Sequence, residues 1–304
     1  MKKLRPIVAL VLCALASGCD SGRLSQFSSF AAAGSQYVQN FHQLTAQAGS
    51  AMIASDSAVL IVARAQAGDA LGAHRAEFTN EIQINDRGLE EYLATIQKLD
   101  AHATLLGSYF AAISDLTNGS SNARFADAAD TILDSINRFN PEIEKTNIGG
   151  QPIKNFIQPA TSLVVDHFAV RALDEQLKKA APAIDVALGL QEAAVDALTA
   201  QIKSSQAASL EIRESTDVVV PYVSPGNLPA SWTSTREAFI RDKATINGLS
   251  SARSAIAQLR ATFRELVQNK NASPDIPALI GAVQKMSVFT SAVKSTSAAQ
   301  VPQK

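Results

Sequence analysis

From Leu24 to about Gln66 the chain places an apolar or small residue at nearly every third or fourth position. Phe27, Gly34, Phe41, Ala48, Ser55 and Val62 form one seven-residue series, and Phe30/Ala31, Tyr37/Val38, Leu44, Ala51/Met52 and Ala58/Val59 form the other. No proline interrupts them. The spacing predicts an amphipathic helix of about 40 residues, roughly 60 Å long, patterned for a bundle seam. Gly68 and Gly72 mark a turn. A second pattern starts after Asn85-Asp86, which read as an N-cap, and runs through Leu89, Leu93, Ile96, Leu99, Ala103, Leu106, Phe110 and Ile113 to a stop at Asn118-Gly119. Ser121 opens a shorter helical pattern that reaches Pro141.

Residues 140–154 hold two prolines and Gly149-Gly150, and read as an internal loop. Helical spacing resumes near Asn155, kinks or restarts at Pro182, and continues to about Asp217. The segment 218–232, with three prolines, Tyr222 and Trp232, reads as a second loop. A further long helix is expected from about Ser231 through Phe239, Ile246, Leu249, Ile256, Phe263 and Val267, and a last one from about Ala278 to Val293. No segment alternates with period two. The fold class is therefore all-α: an elongated antiparallel bundle of six or seven helices spanning residues 24–294, followed by a tail at 295–304 expected to be disordered.

The N-terminus adds an address. Lys2, Lys3 and Arg5 precede an apolar stretch, Ile7 to Ala16, that is too short for a stable span. Ala16-Ser17-Gly18-Cys19 follows and resembles a bacterial lipobox, with Ala16 where leucine is more usual. The resemblance implies that residues 1–18 are a lipoprotein signal peptide. Cys19 would then be the acylated mature N-terminus, a palmitate-type anchor to the membrane. Asp20 directly after it favours retention in the inner membrane. Residues 19–23 are then a short tether, so the folded part starts on the periplasmic side, close to the lipid. No stretch after residue 19 offers about 18 uninterrupted apolar residues, so no second span is expected.

Composition narrows the function classes. With 46% hydrophobic and 18% charged residues among 304, the chain is no intrinsically disordered polymer. Two cysteines exclude a disulfide scaffold, and if Cys13 is removed and Cys19 acylated, thiol chemistry goes too. The net charge of −1, about −4 without Lys2, Lys3 and Arg5, and the lack of a basic block argue against nucleic acid as a partner.

The sharpest local chemistry is Gly72-Ala73-His74-Arg75-Ala76-Glu77. It resembles the G-x-H-x-x-E motif of imelysin-like periplasmic proteins, an all-α family linked to iron or haem uptake. That resemblance implies His74 and Glu77 as ligands of a metal or haem. On the residues alone they are a His–Glu contact at the start of a helix, two ligands where a transition metal needs three or four. His42, His102 and His167 are the nitrogen donors that could complete a site. Asp100 with His102, and Asp166 with His167, have spacings that do not face each other on a helix, and each histidine reads as lying at a seam edge. No nucleophile elbow, phosphate loop or H-E-x-x-H occurs.

The apolar load of 218–232 makes Tyr222 and Trp232 candidates for an interaction loop; the other reading is that this loop folds back over the end of the bundle. Together these readings lead to a lipid-anchored, non-enzymatic scaffold of the bacterial envelope, without cofactor or metal, acting on another envelope protein. The alternatives are an imelysin-like metal- or haem-binding protein and a helical ligand-binding or sensor bundle.

Overall fold

The computed structural model describes residues 5–68, 72–118, 127, 131, 147–148, 151–152, 173–248, 252–268 and 273–298, with the backbone alone for 5–21, 173–177 and 295–298 among others. The protein is all-α. Helix α1 (Arg5–Ala67) is 63 residues long, about 95 Å at the helical rise. Helix α2 is Arg75–Thr117, and α3 is Leu173–Arg213, prolonged by a π-helical segment at Glu214–Val219 and a last α-turn at Val220–Val223. Then come α4 (Trp232–Gly248), α5 (Arg253–Gln268) and α6 (Ile276–Ala298). The expected 140–154 loop holds a two-residue antiparallel pairing, Asn147 with Pro152 and Ile148 with Gln151. Of the helix expected after Ser121 only Asp127 and Thr131 are described, both helical, with the Thr131 hydroxyl donating to the Asp127 carbonyl at 2.7 Å; His167 and the chain around it lie outside the described residues.

Pairs of side chains fix the direction of each helix. Phe30 meets Phe110 edge-on at 5.6 Å and His42 meets Asp100, so α2 returns along α1. Tyr37 bonds Gln191, and Met52 meets Gln201 and Ser205, so α3 runs parallel to α1. Arg264 on α5 binds Asp185 and Arg253 binds Glu192, so α5 descends α3, with α4 descending before it. Asn40 donates to the Val283 carbonyl and Thr290 to Gln43, so α6 rises beside α1. The described long helices thus make five lanes, and α1 packs against α2, α3, α5 and α6. Its neighbours α3 and α6 are parallel to it, a departure from a purely antiparallel arrangement.

The core follows the two heptad series. Phe27, Phe30, Ala31, Tyr37, Phe41, Leu44 and Ala48 are buried against Leu99, Leu106, Phe110, Ile184, Leu198 and Phe263. Phe30 also stacks on Phe263 at 5.9 Å. A smaller, separate cluster joins Leu210 to Phe239 and Ile246, and the half-buried Val218 packs on it.

Several boundaries differ from expectation. Asn85-Asp86 is no N-cap, because α2 begins ten residues earlier, flanked by His74. Helix α1 ends at Gly68, whose φ of +49° is costly for any residue with a Cβ. Pro182 does not stop α3. Pro182 is exposed, as is Lys178, whose carbonyl it leaves unpaired, so water can satisfy that group. Pro221 likewise does not end the helix at Asp217. The wider π turn just before it keeps the pyrrolidine ring off the carbonyl behind, and only 224–231 is non-helical. The long helix expected from Ser231 is two helices, divided after Asn247-Gly248, a C-terminal stop signal.

Asp275 caps α6, its carboxylate accepting from the Ala278 N–H at 2.9 Å, and α6 continues to Ala298, four residues into the expected tail. Residues 19–23, expected to be a tether, are helical and continuous with the rest of α1. No uninterrupted apolar run of about 18 residues follows residue 19, yet two helices are apolar on average. By length and composition two helices could cross a membrane, one within Gly22–Ala67, near the N-terminus, and one within Ile276–Lys294. The apolar window of α1 is only 17% buried, whereas that of α6 is 39% buried as a packed bundle helix.

Candidate functional site

Most of the exposed large apolar side chains gather at one end of the bundle, while Leu24, Ile240, Ile280 and Val288 are exposed elsewhere along it. From Met52 to Ala67 on α1, and from Arg75 to Thr95 on α2, no side chain is fully buried. This hairpin therefore projects about 24 Å past the core. Ile53, Val59, Ile61, Ile82 and Ile84 are exposed along it, Ile61 to 65%. Near the tip lies an open groove of about 490 Å³ bordered by Leu60, Ile61, Phe78, Ile82, Arg64 and Arg75.

The sequence candidates His74 and Glu77 sit at this same tip. His74 Nδ1 lies 2.9 Å from Glu77 Oε2, and both side chains are exposed. The i, i+3 spacing at the first turn of α2 produces the contact. Among the described residues no group of three or more His, Cys, Asp and Glu side chains is placed to hold a metal ion. His42 lies roughly seven turns down α1 from the tip, and His102 as far down α2, so neither is brought near His74.

The other histidines find partners that spacing along the chain does not reveal. His42 Nδ1 is 2.6 Å from Asp100 Oδ1, and Thr45 donates to the same oxygen at 2.8 Å. Asp100 thus pairs across the α1–α2 seam rather than with His102. Among the described residues no hydroxyl, thiol or amine is bonded to the far ring nitrogen of His42, so this couple has no nucleophile to activate. His102 is fully buried in the core, not at a seam edge. Gln191 links it to Tyr37: the tyrosine hydroxyl donates to Oε1 at 3.1 Å, and Nε2 donates to His102 Nδ1 at 2.9 Å. Burial lowers the His102 pKa to about 4. Burial also raises that of Tyr37, with the Glu192 charge adding to the effect. Both are therefore neutral, hydrogen-bonded core groups that fix the register of three helices.

Tyr222 and Trp232 come together at a second tip, the α3–α4 turn. Their rings stack at 5.5 Å, and Trp232 Nε1 donates to the Val218 carbonyl at 2.9 Å. The turn therefore folds back on its own helix end. Even so, Tyr222 is 64% and Val223 70% exposed, with Val219, Val220 and Leu228 exposed beside them. Arg236 lies over the indole at 6.0 Å. Because α3 parallels α1, both tips lie at the same end of the bundle, and Cys19 belongs to the opposite end of α1. The Arg64–Arg75 groove escaped the sequence reading; the uninterrupted Ala58–Ala63 run was the signal for it. No family model, curated protein or solved structure matches the chain.

Proposed function

We propose that the protein is a lipid-anchored, non-enzymatic scaffold of the bacterial envelope, held by an acylated Cys19 and presenting two helical tips away from its anchored end. One observation carries the reading. Helix α1 runs without a break from the segment containing Cys19 to the first tip, so the bundle is a rigid spacer about 70 Å long between anchor and contact surface. Acyl chains on one cysteine anchor by burying many methylenes, with no spanning helix required. The side chains at the tips are apolar and exposed, which is the composition of a contact surface rather than of a solvated connection.

Replacing Cys19 with Ser tests the anchor. The variant is expected to accumulate as unprocessed precursor or to leave the membrane fraction, and the mass of its N-terminal peptide to lack acyl chains. Retention at the wild-type level with an unchanged mass would exclude the lipoprotein reading.

A further inference from the structure

The apolar side chains of the α1–α2 hairpin lie on its flank, behind a charged end. Leu60, Ile61, Phe78 and Ile82 border the groove, while Arg64 and Arg75 lie nearer the tip, beside the exposed Glu77. Residues 58–63, Ala-Val-Leu-Ile-Val-Ala, are apolar on every face, and a helix of that kind is normally enclosed. Whatever covers this flank therefore comes from the side and lies along the two helices, leaving the charged end in water. Within the bundle α3 meets α1 at Tyr37 and Met52, and α6 meets it at Asn40 and Gln43. Helix α6 ends at Ala298, shortly beyond the contact of Thr290 with Gln43, so it stops about level with Met52. Past that level the flank is open.

The charges on the flank are arranged to complement themselves. Along α2, Arg75, Thr79, Ile82, Asp86 and Glu90 follow one another at three- and four-residue steps and form a single exposed row. Ile82 sits near its midpoint, with Arg75 about 10 Å above it and Glu90 about 12 Å below. On α1 the register of the His42–Asp100 contact puts Leu60 level with Ile82. Arg64 then lies about 6 Å above that level, and Asp56 and Asp86 about 6 Å below it. The flank is thus basic towards the tip, apolar in the middle and acidic towards the base. None of Arg64, Arg75, Asp86 and Glu90 has an ion pair among the described residues. A two-fold axis brings a patch against itself, so the patch must be its own complement. With the axis in the interface and across the helices at Ile82, Arg64 of one copy comes level with Asp56 and Asp86 of the other. Arg75 comes level with Glu90, and the apolar middles cover each other. A parallel pair would instead gather four arginines at one end and the carboxylates at the other.

We propose that the α1–α2 hairpin pairs with the same hairpin of a second copy of this chain, antiparallel and flank to flank. The overlap ends where the bundle begins, because each tip reaches the level of Ile53 on the other copy, where α6 no longer covers α1. A flank about 24 Å long and two helices wide covers on the order of 500 Å² per copy, about 1,000 Å² in the pair. That is the size of a weak, reversible association. Pairing sends the two N-terminal ends in opposite directions, so copies held by Cys19 face one another from separate membrane surfaces. That last clause rests on the anchored reading above; the pairing itself does not.

Sedimentation of the full-length protein in detergent, from about 1 to about 200 μM, is expected to show a reversible dimer. The double variants Arg64→Glu, Arg75→Glu and Asp86→Arg, Glu90→Arg each set like charges together, and each is expected to weaken the dimer about tenfold or more. Mixed in equal amounts, the two variants are expected to restore it as a heterodimer. All four positions are exposed, so circular dichroism should not change. A photo-crosslinking side chain in place of Thr79 reports direction. It is expected to attach to the segment 82–90 of a second copy, told from its own by isotope labelling.

A chain that stays monomeric throughout that range, a dimer that neither charge reversal weakens, or reversed variants that do not pair with each other would overturn the proposal. Attachment to the segment 60–67 of the second copy would make the pair parallel and refute the axis. Attachment only to lipid, or only to a different protein, would give the flank another occupant and refute self-pairing. Failure of the lipoprotein reading shows in the N-terminal mass and leaves the sedimentation result standing, so the two readings fail separately.

Discussion

The ring of Phe110 occupies the space that a side chain on Gly34 would need: a Cβ there would meet Cδ1 at 2.5 Å and Cγ at 2.6 Å. Gly34 is one of the heptad positions of α1, and its missing side chain lets α2 approach. Gly34→Ala is expected to destabilise the bundle by about 1–3 kcal/mol, as overpacking does in a filled core. Gly88 on α2 makes the contrast, since nothing lies within 4 Å of a Cβ built there. Gly88→Ala is expected to stabilise by about 0.5–1 kcal/mol through helix propensity alone. Urea denaturation of the two variants should shift in opposite directions; a shared sign would contradict the seam assigned to Gly34.

Acidification should act through His102. Burial lowers its pKa to about 4 from 6.5, so between those values the unfolded chain takes up a proton that the folded chain refuses. Stability is therefore complete above pH 6.5, falls by about 3 kcal/mol towards pH 4, and is flat in this contribution below that. Denaturation midpoints measured at pH 7, 5.5 and 4 check the slope. His102→Gln, whose carbonyl can accept from Gln191, should remove it.

A second acid transition belongs to Asp185. Burial alone would raise its pKa, but hydrogen bonds from Arg264 and Arg260 outweigh that and hold it at about 2. The depressed carboxylate stabilises the fold above about pH 4, and the contribution disappears as pH falls towards 2. Asp185→Asn should destabilise by about 1–2 kcal/mol, the figure for charge-assisted hydrogen bonds reduced by partial exposure. The loss should shrink in high salt. A variant equal to wild type in low salt would show that the α3–α5 ion pairs add nothing.

His74→Ala tests the imelysin-like alternative. With both partners exposed, the His74–Glu77 contact is expected to add less than about 0.5 kcal/mol, and the variant's thermal midpoint should match the wild type. Calorimetric titration with iron, zinc and haem is expected to show no stoichiometric binding that depends on this residue. Binding abolished by His74→Ala would transfer the function to that family's chemistry.

Much of the fold was legible because a seven-residue period names the buried face directly. Phe27, Phe30, Phe41 and Leu44 were in the pattern and are in the core. The same series runs on through Ser55 and Val62, where the bundle has ended and neither is buried. A period identifies a face of a helix and says nothing about whether a partner is there to meet it, so the projecting hairpin was invisible in the spacing. Side chains that meet across lanes were hidden for a related reason. The His42–Asp100 contact joins residues 58 positions apart, and Tyr37–Gln191 joins residues 154 apart. Each needs the relative register of two helices, which local pattern does not contain. The proline at 221 misled because its usual effect, ending a helix, was absorbed by one wider turn.

The central place of α1 also orders events in time. It is the first long helix to be made, yet Asn40 bonds to the Val283 carbonyl and Arg23 to the Leu266 carbonyl, each 243 positions further along the chain. Loop closure on that scale precedes the reward for it, so nucleation should fall to the more local α1–α2 and α3–α5 pairs. The seam filled by Val283, Met286 and Phe289 must stay open until the final helix arrives. A chain ended before Pro274 should accordingly collapse with a greasy trench along α1 and bind hydrophobic dye, while the complete chain does not. The helix that the other lanes surround is thus finished by one made long after it, and a partly synthesised chain is held short of its native state until α6 has emerged.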